Sequence, residues 1–123
     1  MILLLQRKEN IIIKKTEDFS DRIIRLYQYL IDKKKEKIIS KQIIRSGTSI
    51  GANAAESKYA QSRMDFISKL SIALKEANET SYWLNRLYKG GYITEEQYRS
   101  ITDDNDSIIR ILTKIIKTSK GIE

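Results

Sequence analysis

The chain has 123 residues and 14.3 kDa, with 23 basic against 16 acidic side chains for a net charge of +7, the size of one domain with a bias toward anionic partners. It contains no Cys and no His, which excludes disulfides, thiolate nucleophiles, imidazole bases and the usual transition-metal sites. A hydrophobic share of 41% beside 32% charged residues suits a folded helical protein, and Pro is absent.

Residues 1–15 open with a short apolar run, followed at once by Arg7 and Lys8. That is the wrong order and length for a signal peptide, and no run of about 20 apolar residues follows, so a cytoplasmic protein without membrane contact is expected. Ile11, Ile12 and Ile13 lie between basic pairs, and the segment reads as an N-terminal arm or a disordered tail. A first helix is expected over 16–34, capped by Thr16 or Asp18, with Phe19, Ile23, Leu26 and Leu30 on its buried face. A charged connection, residues 32–37, ends it. A second helix over 39–60 places Ile43, Gly47, Ile50 and Ala54 on one seam. Gly costs about 1 kcal/mol relative to Ala inside a helix, so Gly47 and Gly51 imply close approach of a neighbouring backbone.

The third helix, 64–89, carries the longest heptad pattern: Ile67, Leu70, Leu74, Ala77, Ser81, Leu84 and Tyr88, widened by Phe66, Ala73, Thr80 and Leu87. Gly90-Gly91 stops it. Thr94 with Gln97 three residues on reads as a capping box for a fourth helix over 95–118, whose buried face holds Tyr98, Ile101, Ile108, Leu112 and Ile115, with Asn105 in register. No stretch alternates with period two, so strands are not expected. The pattern predicts an all-α, antiparallel up-down-up-down four-helix bundle over residues 16–120, with left-handed coiled-coil-like packing.

Residues Arg45, Ser46, Gly47, Ser49, Ile50, Ala52, Asn53, Ala55 and Glu56 match the pattern R-[RS]-[AGS]-x-S-I-x-A-N-x-A-E. Asp65, Phe66 and Ile67 match a D/E-F-[IL] helix start; Ala73, Leu74, Lys75, Glu76 and Ala77, then Glu79 and Thr80, match its ALKEA-E-[ST] continuation. In these positions the chain resembles the bacterial 23S rRNA intervening-sequence protein family of four-helix bundles, with looser similarity over about residues 16 to 118 and none before Glu17. The resemblance implies a ribosome-associated homopentameric ring. It also implies kinship with the accessory variability determinant of diversity-generating retroelements, a basic pentamer that engages a reverse transcriptase and nucleic acid. Its motifs contain no catalytic signature.

Two basic groups are the main candidate site. Lys33, Lys34, Lys35, Lys37, Lys41 and Arg45 cluster around the first connection, and Arg110, Lys114 and Lys117 recur at i, i+4, i+7 on the fourth helix. Each is plainly readable as a solvated face; with the net charge they point to non-specific phosphate contact, RNA before DNA. Without a helix-turn-helix or RNP motif, base reading is not expected. Gly47, Ile50, Gly51, Asn53, Ala54, Ala55, Glu56, Phe66, Leu70, Leu74 and Trp83 are expected to serve the core or a subunit interface. Asn53, Asn78 and Asn85 lie near apolar faces, where an amide fixes register. Trp83 with Tyr82, Tyr88 and Tyr92 suits core or interface better than base stacking. The carboxylates Asp103, Asp104 and Asp106 lack calcium-loop spacing, and Glu56, Glu76 and Glu79 lack the His of di-iron bundles. No enzyme, cofactor, metal or small-molecule substrate is expected. A protein-binding adaptor is the alternative to a nucleic-acid binder.

Overall fold

The computed structural model describes residues 2–121, folded as four helices: α1 (Ile2–Asp32), α2 (Ile39–Ser57), α3 (Arg63–Lys89) and α4 (Glu95–Ser119). No strand occurs among the described residues. Each helix end has a local cause. Ser62 caps α3, its hydroxyl accepting from the Asp65 N–H at 3.1 Å. Thr94 and Gln97 form the reciprocal box that starts α4, at 3.1 and 2.8 Å. Gly91, at φ +82°, takes the left-handed conformation just beyond α3.

The first helix is longer than its caps suggested. Instead of an arm or tail followed by a helix from residue 16, α1 runs unbroken from Ile2. The reason lies in its core face: Ile12, Thr16, Phe19, Ile23 and Leu30 are all buried, so the heptad seam continues upstream of Phe19. Thr16 is not a cap. It sits mid-helix, facing inward, with its hydroxyl donating to the Ile12 carbonyl at 2.8 Å.

The α3 stripe is also rotated from expectation. Its fully buried residues are Leu70, Ala73, Ala77, Thr80, Leu84 and Leu87, whereas Ile67, Leu74, Ser81 and Tyr88 are half-buried. The contact line thus runs between the two expected stripes, because α3 touches both α2 and α4. In α4, Ile101, Asn105, Ile108, Leu112 and Ile115 are buried, while Tyr98 sits at the margin and stacks on Tyr88 with centroids 4.7 Å apart.

The helices meet as a closed cycle, α1 with α2, α2 with α3, α3 with α4 and α4 with α1, and the last of these contacts is the least close. The two glycines of α2 face α1 for different reasons. A Cβ on Gly51 would lie 3.1 Å from the Thr16 carbonyl oxygen, a true backbone approach. One on Gly47 would lie 2.8 Å from both γ carbons of Ile23, so there a branched side chain fills the space. Between α3 and α4, Asn105 is wholly buried and its amide donates to the Ala77 carbonyl at 2.9 Å and the Ser81 hydroxyl at 2.8 Å. Among the described residues no helix is long and apolar enough to cross a membrane.

Candidate nucleic-acid interface

The connection between α1 and α2 is where the fold most clearly sorts charge. Lys35 adopts φ 55°, a left-handed turn that lets the chain reverse without glycine. Lys33, Lys34, Lys35 and Lys37 are exposed, as is Lys41 on the first turn of α2, and the Lys34 ammonium lies 6.0 Å from the Tyr29 ring centroid. Glu36, in their midst, is turned inward and buried. Its carboxylate accepts from the backbone N–H groups of Ile38 at 3.1 Å, Ile39 at 3.1 Å and Ser40 at 2.7 Å, while the Ser40 hydroxyl donates back to its carbonyl at 2.8 Å. This glutamate satisfies the free N–H groups at the start of α2 and meets the positive end of the helix dipole. Burial alone would push its carboxyl up, but the three amides outweigh that and hold it below the usual carboxylate range. In the sequence Glu36 is one acid of the charged connection at 32–37, and only the fold shows it turned onto the start of α2.

Arg45 does not belong to that group. Its guanidinium bonds the Glu79 carboxylate and lies 3.1 Å from that of Glu76, both on α3. A guanidinium held by two carboxylates presents no net positive charge to a phosphate. Glu79 in turn accepts from the Trp83 indole N–H at 2.9 Å, and these donors hold its carboxyl low against burial. Beneath this cluster the Thr80 hydroxyl, which donates to the Glu76 carbonyl at 2.8 Å, accepts from the Ser46 hydroxyl at 2.9 Å, joining α2 and α3 in the interior.

On α4, Arg110, Lys114 and Lys117 are exposed. They do not form one site with the lysine turn. Arg110 and Lys114 flank a hollow shared with Lys8 and Ile11, whereas Tyr29, beside Lys34, shares one with Ile93 and Gln97. Lys8 and Tyr29 are 21 residues apart on one helix, so the two basic groups are separated by roughly 30 Å along the bundle. The structure adds Lys8, Lys15 and Arg22, seven residues apart on the α4-facing side of α1, with Arg25 beside them. That heptad is legible in the sequence only when residues 1–15 are taken as part of the helix. Arg22 spans to α4, 2.6 Å from the Asp104 carboxylate and 2.7 Å from the Ser100 hydroxyl.

The remaining candidates divide by burial. Gly47, Ile50, Ala54 and Leu70 are interior; Gly51, Asn53, Phe66, Leu74 and Trp83 are half-buried; Ala55 and Glu56 face outward, Glu56 lying 3.6 Å from Lys69. The fully buried amide that ties helices together is Asn105; of the three expected amides, half-buried Asn85 donates across to the Tyr98 hydroxyl of α4 at 3.4 Å, Asn53 donates to the Ser49 carbonyl of its own helix, and Asn78 is exposed. Among the described residues no group of three or more acids is placed to hold a metal ion.

The fold and sequence are similar to the crystal structure, at 1.70 Å resolution, of a protein of unknown function from the S23 ribosomal protein family of Bacteroides thetaiotaomicron VPI-5482. The two share 55% identity over 89% of this chain and 98% of that one, with a TM-score of 0.89. Comparison with curated proteins gives no match. The family model described as 23S rRNA-intervening sequence protein matches residues 8–114, reaching upstream of Glu17 into α1, and the chain belongs to that family.

Proposed function

We propose that this chain is a non-catalytic, oligomeric four-helix-bundle protein, a homopentameric ring, that associates with nucleic acid through sequence-independent phosphate contacts. The observation that carries this reading is the α1–α2 connection. Lys33, Lys34, Lys35 and Lys37 are exposed while the one acid among them, Glu36, is withdrawn to cap α2, leaving a concentrated positive turn. Repetition of that turn around a ring would add five weak contacts through avidity. RNA is preferred to DNA because the family's description names 23S rRNA, which also supports a ribosome-associated, cytoplasmic protein. The kinship with the retroelement accessory protein belongs to the same proposal. The cross-helix pairs Arg45–Glu76, Arg22–Asp104 and Asn105–Ala77 support up-down-up-down helices, and the heptad seams support left-handed packing.

The alternative, a protein-binding adaptor or accessory subunit, is favoured by Tyr59 and Met64, which are 79% and 82% exposed around the α2–α3 connection. Light scattering coupled to size exclusion, at low and high salt with and without a structured RNA, separates the two. A species near five times 14.3 kDa that takes up RNA only at low salt is expected. A monomer that ignores RNA would overturn the proposal and leave the adaptor.

A further inference from the structure

The α1·α4 seam is the loosest in the bundle, and three hollows of 270, 320 and 270 Å³ follow one another along it. The third is aliphatic, lined by Ile11 and Ile111, and the first holds half-buried Leu26; Phe19, Ile101 and Ile108 are buried in the core, and the middle hollow is lined mainly by charged side chains. Their rims are basic, with Lys8, Lys15, Arg22, Arg25, Arg110 and Lys114 against two acids, Asp18 and Asp104. Asp18 is engaged by Lys14 at 2.8 Å, and Asp104 pairs with Arg22 at 2.6 Å, which cancels the charge of Arg22 as well and still leaves the rim basic. Ile11 remains 50% exposed at the centre of an aliphatic hollow.

We propose that this groove docks an acidic amphipathic helix of another polypeptide. A phosphate chain would use the rims but would leave Ile11 and Ile111 as wet as before. A helix carrying apolar residues on one stripe and carboxylates on both flanks uses floor and rims together. The spacing defines the ligand. The outer hollows are lined by Ile11 and Leu26 of α1, about 22 Å apart at 1.5 Å per residue. The partner therefore presents apolar anchors at i and i+14, with Glu or Asp beside and between them. The inference does not depend on the lysine turn at 33–37, although its rim takes in Arg110 and Lys114 of the second basic group.

A fluorescein-labelled synthetic helix of about 22 residues, with Leu at two positions fourteen apart and Glu on both flanks, is the probe, and anisotropy reads its affinity. Binding is expected, weakened at least about tenfold by Ile11→Ser and by Arg25→Glu, each at unchanged helical circular dichroism, and unaffected by Lys41→Glu. Three results would overturn the proposal: no binding; equal binding of a peptide with Lys in place of Glu; or insensitivity to Ile11→Ser. So would loss of self-assembly in Ile11→Ser, which would assign the groove to a second copy. RNA binding weakened by Arg25→Glu, with no peptide binding, would make the seam a phosphate track instead.

Discussion

Glu36 makes the sharpest residue-scale case, since one side chain both starts a helix and unmasks a lysine turn. Glu36→Gln should destabilise the fold by about 1–2 kcal/mol in thermal or urea unfolding at pH 7, the range for losing a helix cap or a charged hydrogen bond. The folded carboxyl titrates below its unfolded value, so its contribution is complete above the unfolded pKa and is lost as pH falls through the folded one. The Gln variant should therefore lose less stability than the parent on acidification below about pH 4. An equally steep acid limb in both would show that Glu36 does not cap α2. Gly47 supplies the opposite test. Alanine favours the helix by about 1 kcal/mol, but its methyl would meet Ile23 at 2.8 Å, so Gly47→Ala should destabilise by about 1–3 kcal/mol. A higher melting temperature would refute the contact.

At the scale of elements, the informative differences are the reach of α1 and the rotation of α3. Ile12 is as buried as Ile23, so Ile12→Ala should cost about 2–5 kcal/mol, as for any buried aliphatic truncated to Ala, measured by chemical denaturation. A frayed tail at residue 12 would leave the midpoint unchanged. Within α3, Leu70→Ala should cost clearly more than Leu74→Ala, because Leu70 is fully buried and Leu74 only partly so. Most of the helix pattern was legible: the capping box at Thr94, the stop at Gly90-Gly91 and the small-residue seam of α2 all depend on neighbours a few residues apart. The start of α1 was not. Thr16 satisfies the rules for an N-cap, and only the partner surface on α2, at Gly51, shows that it is an interior residue. Likewise, two adjacent heptad stripes on α3 are equally apolar in sequence, and the positions of α2 and α4 decide which line is buried.

The whole molecule is a balance of charge as well as a packed bundle. Four of its acids are engaged by the fold, Glu36 on a helix end, Glu76 and Glu79 on Arg45, and Asp104 on Arg22, while Lys33, Lys34, Lys35 and Lys37 stay outward. Replacing Lys33, Lys34, Lys35 and Lys37 with Ala should weaken RNA uptake strongly at low salt. The slope of log affinity against log salt should flatten by up to about 1 for each lysine in phosphate contact. Folding should change little, because the four are exposed. Arg45→Ala should show the reverse pattern, destabilising the α2–α3 contact with little effect on RNA. Equal loss of RNA binding by both variants would return Arg45 to the phosphate site.

Sequence by itself determined the all-helical class, the helix count, the family and the surplus of positive charge, because heptads, caps and composition are local or additive properties. Tertiary structure decided how that charge is deployed. Whether a carboxylate neutralises a neighbouring arginine, caps a helix or faces solvent depends on which groups lie across a helix contact. Arg45 and Glu76, like Arg22 and Asp104, are brought together from positions 31 and 82 residues apart, and no local pattern in the chain specifies those pairs.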